Sequence, residues 1–159
     1  PNTASATERL TIRTPSPRQP PMSLEVFSDA WARACAVAIN DNPSYRAAAV
    51  TWEGSILLHI VASDPGSERR VYLDLWRGEC REARSGTATD EDAARYILAG
   101  DHAAWHQVLT GVTAPIMAIM MGKLRITKGS LAELLPHVES AKQLVVSAAS
   151  VRASFPGVA

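Results

Sequence analysis

Pro115-Ile116-Met117-Ala118-Ile119-Met120-Met121-Gly122-Lys123-Leu124-Arg125-Ile126 is the stretch on which the reading of this chain turns. Proline suits the first position of a helix, where its missing N–H has no intrahelical acceptor, so Thr113-Ala114-Pro115 predicts a helix opening at Pro115. Six apolar residues follow, Ile116 to Met121. They fall far short of the roughly 18 to 20 that cross a bilayer. A helix apolar on every side has to be covered on every side. Two covers meet that demand: protein core all round, or core on one side and an apolar guest on the other. Methionine is unbranched and polarizable and adapts to guests of varied shape, yet the same property makes it a common filler of cores. Lys123 to Thr127 then alternates as a strand.

Working outward, Asp101 is a good N-cap for a helix carrying Trp105, Val108 and Leu109, and Gly111 tolerates the left-handed backbone that ends it. Downstream, Ser130 opens a terminal helix through Leu131, Leu134, Leu135, Val138, Ala141 and Val145, which Pro136 kinks or restarts. Upstream, Leu24, Phe27, Trp31, Cys35 and Ile39 recur at spacings of three and four, predicting a helix over about 23 to 40, capped by Ser23 and ended by Asn40-Asp41-Asn42-Pro43. Val50 to Ala62 reads as a strand broken near Glu53-Gly54, and Asp64-Pro65-Gly66-Ser67 as a turn. Arg70 to Trp76 alternates, with Val71, Leu73 and Leu75 on one face and Tyr72, Asp74 and Trp76 on the other. Arg77-Gly78-Glu79 then turns into Cys80 to Arg84, completing an antiparallel meander. Ala93 to Leu98 is a fourth strand, with a helix as the competing reading.

The 159 residues are 47% hydrophobic, enough for one domain with its own core. Pro1 to Pro21 holds half of the prolines and only two large aliphatic residues, Leu10 and Ile12, so residues 1–21 read as a disordered tail or a remnant, and 22–159 as a single domain. Sixteen basic residues balance sixteen acidic ones. No overall positive field exists to hold nucleic acid. Cys35 and Cys80 form no Cys-x-x-Cys pair and read as reduced core residues. The absence of export or peroxisomal signals points to a cytoplasmic protein, and the excess of Arg over Lys with abundant Ala is a composition associated with bacteria.

The order Trp105-to-Gly111, Pro115, Met121-Gly122-Lys123-Leu124-Arg125-Ile126, Gly129 and a leucine-rich helix resembles the C-terminal half of the sterol carrier protein type 2 family, whose pattern places a Gly-Lys-Leu-x-Ile strand between a Pro-initiated helix and a Gly-containing turn. Likeness in the order of elements extends from about Ser23 to Val146. Lys128-Gly129-Ser130 departs from the family's usual Gly followed by Asp or Asn. The resemblance implies an α+β fold: a five-stranded, largely antiparallel sheet with helices packed on one face and an apolar tunnel between them. It implies non-enzymatic binding, transfer or presentation of an apolar lipid (sterol, fatty acid, acyl-CoA or isoprenoid), with transient membrane contact and no cofactor. Mapped onto this chain, the tunnel is bordered by Trp105, Leu109, Ile116, Met117, Met120, Met121, Leu124, Ile126, Leu134, Leu135 and Val138. A small enzyme or an accessory module of a lipid or natural-product pathway is the alternative use of the same cavity.

Catalytic and metal readings rest on thinner patterns. His102 and His106 stand one helical turn apart, a spacing that suits a shared metal, but no Glu follows His102 in the zinc-protease manner and no third ligand stands nearby. A solvated pair is the simpler account. His59 lies in a strand between apolar neighbours, and Asp74 shares a strand face with Tyr72 and Trp76; either would matter chemically only by facing a pocket with a partner in reach. No Gly-x-Ser-x-Gly elbow, phosphate-binding loop or dinucleotide fingerprint is present. No catalytic residue is assigned.

Overall fold

The computed structural model describes residues 23–62 and 64–155. The tail expected over 1–21 lies outside them. A short strand, β1 (Leu24–Glu25), pairs in parallel with the last, β7 (Ala153–Ser154), and so joins the two ends of the described chain. Between them run α1 (Asp29–Asn40), α2 (Pro43–Ala48), β2 (Glu53–Ile60), β3 (Arg69–Trp76), β4 (Glu79–Ser85) and α3 (Asp90–Ala93). Then come β5 (Tyr96–Gly100), α4 (His102–Leu109), α5 (Pro115–Met120), β6 (Arg125–Lys128), α6 (Leu131–Leu134) and α7 (Val138–Ala149). The sheet order is β4-β3-β2-β5-β6, antiparallel throughout except where β5 runs parallel to β2.

The period-two alternation of the meander decides which side is core. Ile56, Leu58 and Ile60 on β2 and Val71, Leu73 and Leu75 on β3 point into the main core beneath the helices. Leu57 points the other way, into a small cluster with Ala94 and Ile97 beside α3. The helical layer is therefore one-sided apart from that short element. Of the two readings of Ala93 to Leu98 the strand is the one realised, as β5 from Tyr96; helix α3 lies upstream and ends at Ala93.

The first helix begins later than its periodicity predicts. Ser28, not Ser23, is the N-cap, its side chain accepting from the Trp31 amide at 3.2 Å. Phe27 adopts φ 65°, which breaks any helix through it, and Leu24 is held in a strand by its pairing with Ala153. Phe27 still fills the core, its ring 5.3 Å from both Trp31 and Trp105. Pro43 both ends α1 and opens α2, which Asn42 caps by accepting from the Ser44 and Tyr45 amides. At the other end Pro136 restarts the terminal helix: α6 stops at Leu134, a 3-10 turn covers Leu135–His137, and α7 follows.

Candidate functional site

An apolar cavity lies between the sheet and the helical layer. Its floor is Ile56, Leu58, Leu73, Leu75 and Leu98 from the three central strands. Trp31, Cys35 and Ile39 of α1 form one wall, with Tyr45 of α2 and Trp52 behind them. Trp105, Val108 and Leu109 of α4 and Ile116 and Ile119 of α5 form another, and Ala141, Leu144, Val145 and Ala148 of α7 close the roof. Each wall is the buried stripe of an amphipathic element, so the same pattern that makes the core also makes the cavity.

Polar groups in the lining are few. His137 stands edge-on to Trp52 at 4.8 Å between ring centroids. Ser140 donates its hydroxyl to the His137 carbonyl at 2.8 Å. The Trp31 indole N–H is buried without a hydrogen-bond partner among the described residues. Burial pushes the Cys35 thiol up to about 12, with nearby Cys80 adding to the effect. Burial likewise raises the Tyr45 phenol. Both groups are neutral at physiological pH, and neither is activated as a nucleophile. The volume is about 90 Å³, well below the roughly 300 Å³ at which ligand pockets usually begin. A second, open hollow of about 330 Å³ lies beside it, and Trp31, Leu109 and Ala148 line both.

Of the residues read from sequence as tunnel-bordering, Trp105, Leu109, Ile116, Leu124 and Leu134 meet at the cavity. Ile126 is partly buried and packs against the surrounding core instead. Leu135 and Val138 are exposed, because the restart at Pro136 turns them outward. The expectation that α5 is covered on every side is corrected: Met117, Met120 and Met121 are exposed, and only Ala118 is fully buried. The helix has six residues and lies at the rim, so one stripe, Ile116 and Ile119, faces the cavity and the opposite stripe faces outward. Sequence reasoning placed none of the N-terminal half in the lining. Its signal was present, since Trp31, Cys35, Ile39, Leu73 and Leu75 are the inward residues of patterns already legible as a helix face and a strand face.

The chemical alternatives are not assembled at the cavity. His59 Nε2 lies 2.7 Å from Glu68 Oε1, on the outer face of the sheet. Asp74 accepts from Arg81 at 3.0 Å. His102 Nε2 is 3.3 Å from the Ser67 carbonyl, whereas His106 packs edge-on against Phe155. Among the described residues no group of three or more His, Cys, Asp or Glu side chains is placed to hold a metal. Nor does any helix there have the length and apolarity to cross a membrane.

Two glycines of the motif framework have a physical requirement behind them, Gly111 in its backbone conformation alone and Gly129 in its surroundings as well. Gly111 ends α4 with φ 83°. Gly129 has φ 95° and lies flat against the Tyr96 ring, so that a Cβ would collide with it. Tyr96 in turn packs 5.1 Å from Trp52 of the cavity wall.

The fold and cavity define a class, a small α+β protein with an apolar chamber between one sheet and one helical layer. The model of the SCP-2 sterol transfer family matches residues 33–135, and the chain belongs to that family. A crystal structure of sterol carrier protein 2 aligns with a TM-score of 0.73 at 39% identity, covering 80% of this chain and 99% of its own. The solution structure of a conserved hypothetical protein from Thermus thermophilus, described as possibly sterol carrier protein, aligns with a TM-score of 0.74 at 37% identity, covering 84% and 94%. Sterol carrier protein 2 from Yarrowia lipolytica, in its apo form, shares the fold at a TM-score of 0.51 and 18% identity, covering 77% and 98%. A search of curated protein sequences found no match.

Proposed function

We propose that this protein binds an apolar lipid in the cavity and carries or presents it without transforming it. The observation that carries the reading is the lining itself: aromatic and aliphatic side chains from sheet and helices converge on a dry space in a chain of the sterol transfer family. Sterols, fatty acids, acyl-CoA and isoprenoids are the ligand classes we consider, in a cytoplasmic setting. Moving a sixteen-carbon chain from water into such a space gains about 13 kcal/mol at roughly 0.8 kcal/mol per methylene. The same chain in a bilayer is already dry, so exchange between membrane and protein is nearly neutral and needs no energy source.

The chamber has to widen to admit a whole lipid. Trp31, Leu109 and Ala148 stand between the cavity and the neighbouring hollow, which makes them the partition whose displacement joins the two spaces. Native mass spectrometry of the purified protein, followed by solvent extraction, tests the reading. A mass excess released as an apolar compound is expected. A protein that carries none, and takes none up from added fatty acid or sterol, would overturn it.

A further inference from the structure

Helix α5 has two apolar faces, and only one of them belongs to the cavity. Met117, Met120 and Met121 recur at i, i+3 and i+4 on the outer face and are 49%, 65% and 55% exposed. Val112, on the loop before the helix, is 73% exposed. Single exposed apolar residues are ordinary, but a contiguous stripe at the rim of a folded domain marks a contact surface.

Charge separates the candidate partners. The chain as a whole is neutral, and the arginines of the sheet are largely satisfied, Arg81 by Asp74 at 3.0 Å and Arg84 by Asp90 at 2.9 Å. Lys123 and Arg125 follow directly after the methionine stripe and are exposed. Among the described residues neither has a carboxylate ion-pair partner, Lys123 donating to Gln107 Oε1 at 3.0 Å. One acid, Asp101, shares a shallow depression with them, and its carboxylate is engaged in capping α4 through the Ala104 amide at 2.8 Å. An apolar stripe flanked by free cations matches a bilayer surface, where side chains enter the acyl boundary while cations meet anionic headgroups.

We infer that α5 with Lys123 and Arg125 is the surface by which this protein docks on an anionic lipid bilayer. The inference rests on the lipid-carrier reading for its purpose and on its own readout for its test. Docking there sets the helix whose inner stripe walls the cavity directly against the bilayer.

The experiment is co-sedimentation of the full chain with vesicles of phosphatidylcholine containing about 30% phosphatidylserine, and with pure phosphatidylcholine vesicles. The protein is expected to partition onto the anionic vesicles and to leave them as salt rises. M117S/M120S/M121S and K123E/R125E should each weaken that partition by at least about tenfold. Both variants should retain uptake of a fluorescent fatty acid in solution, since none of the five residues lines the cavity. Variants that sediment like the parent protein would overturn the inference, as would a parent protein that stays in the supernatant. Sedimentation equilibrium showing a dimer abolished by M117S/M120S/M121S would also overturn it, by assigning the stripe to a second copy. Failure of the parent protein to take up any fatty acid counts against the carrier reading alone.

Discussion

The Trp105 indole donates its N–H to the backbone carbonyl of His59 at 2.9 Å, tying α4 to β2 across the rim of the cavity. The ring is 3% exposed and also walls the chamber, so one side chain serves sheet, helix and cavity together. Trp105→Phe keeps most of the packing and loses the hydrogen bond, and is expected to cost about 1 kcal/mol of stability. Trp105→Ala removes the wall as well and is expected to cost about 3–5 kcal/mol. Urea unfolding of the two variants separates the contributions.

Asn42 holds the roof to the N-terminal half. Its Oδ1 caps α2, while Nδ2 donates to Ser147 Oγ of α7 at 2.9 Å. Asn42→Ala loses both roles and should destabilise by about 1–2 kcal/mol. Hydrogen exchange should rise in α7 more than in β2 and β3, because the helix loses its tether while the strands keep their ladder.

Acid sensitivity has a local source on the outer face. The hydrogen bond from Arg84 holds the Asp90 carboxyl down at about 2, with the Thr87 amide assisting. A folded-state pKa below the unfolded value near 3.8 means the stabilisation is fully present above that value and is lost as pH falls through the folded one. Stability of the parent protein should therefore drop more steeply than that of Asp90→Asn between about pH 4 and about pH 2. Parallel slopes in chemical unfolding across that window would remove the pair from the acid response.

Ala148 lies on the partition between the cavity and the neighbouring hollow. Ala148→Phe places a ring in that space and should cut lipid uptake by at least about tenfold, while overpacking costs about 1–3 kcal/mol. Circular dichroism and a thermal melt check that the fold survives the substitution.

Much of this architecture is legible in the sequence wherever the controlling interaction is local. The alternation of Val71, Leu73 and Leu75 places a core face, Asp101 and Pro115 start their helices by capping and ring geometry, and Gly111 ends α4. Legibility falls where a distant residue decides. Leu24 obeys helical spacing with Phe27 and Trp31, yet its pairing with Ala153 makes it a strand. Met117 and Met120 are apolar like Ile116 and Ile119, and the position of α5 at the rim decides that the isoleucines face the chamber. For the cavity as a whole, the motif from Trp105 to Leu135 identified the family and one wall. The opposite wall at Trp31, Cys35 and Ile39 follows from an amphipathic helix whose apolar face has no local mark distinguishing core from lining.

The most direct test is a titration of the delipidated protein with a naturally fluorescent polyene fatty acid, run beside Ala148→Phe. Saturable binding of one molecule per chain, abolished or strongly weakened by the substitution and reversed by an unlabelled apolar competitor, is the predicted result. Uptake that does not saturate, or that Ala148→Phe leaves unchanged, would contradict enclosure of lipid in this cavity.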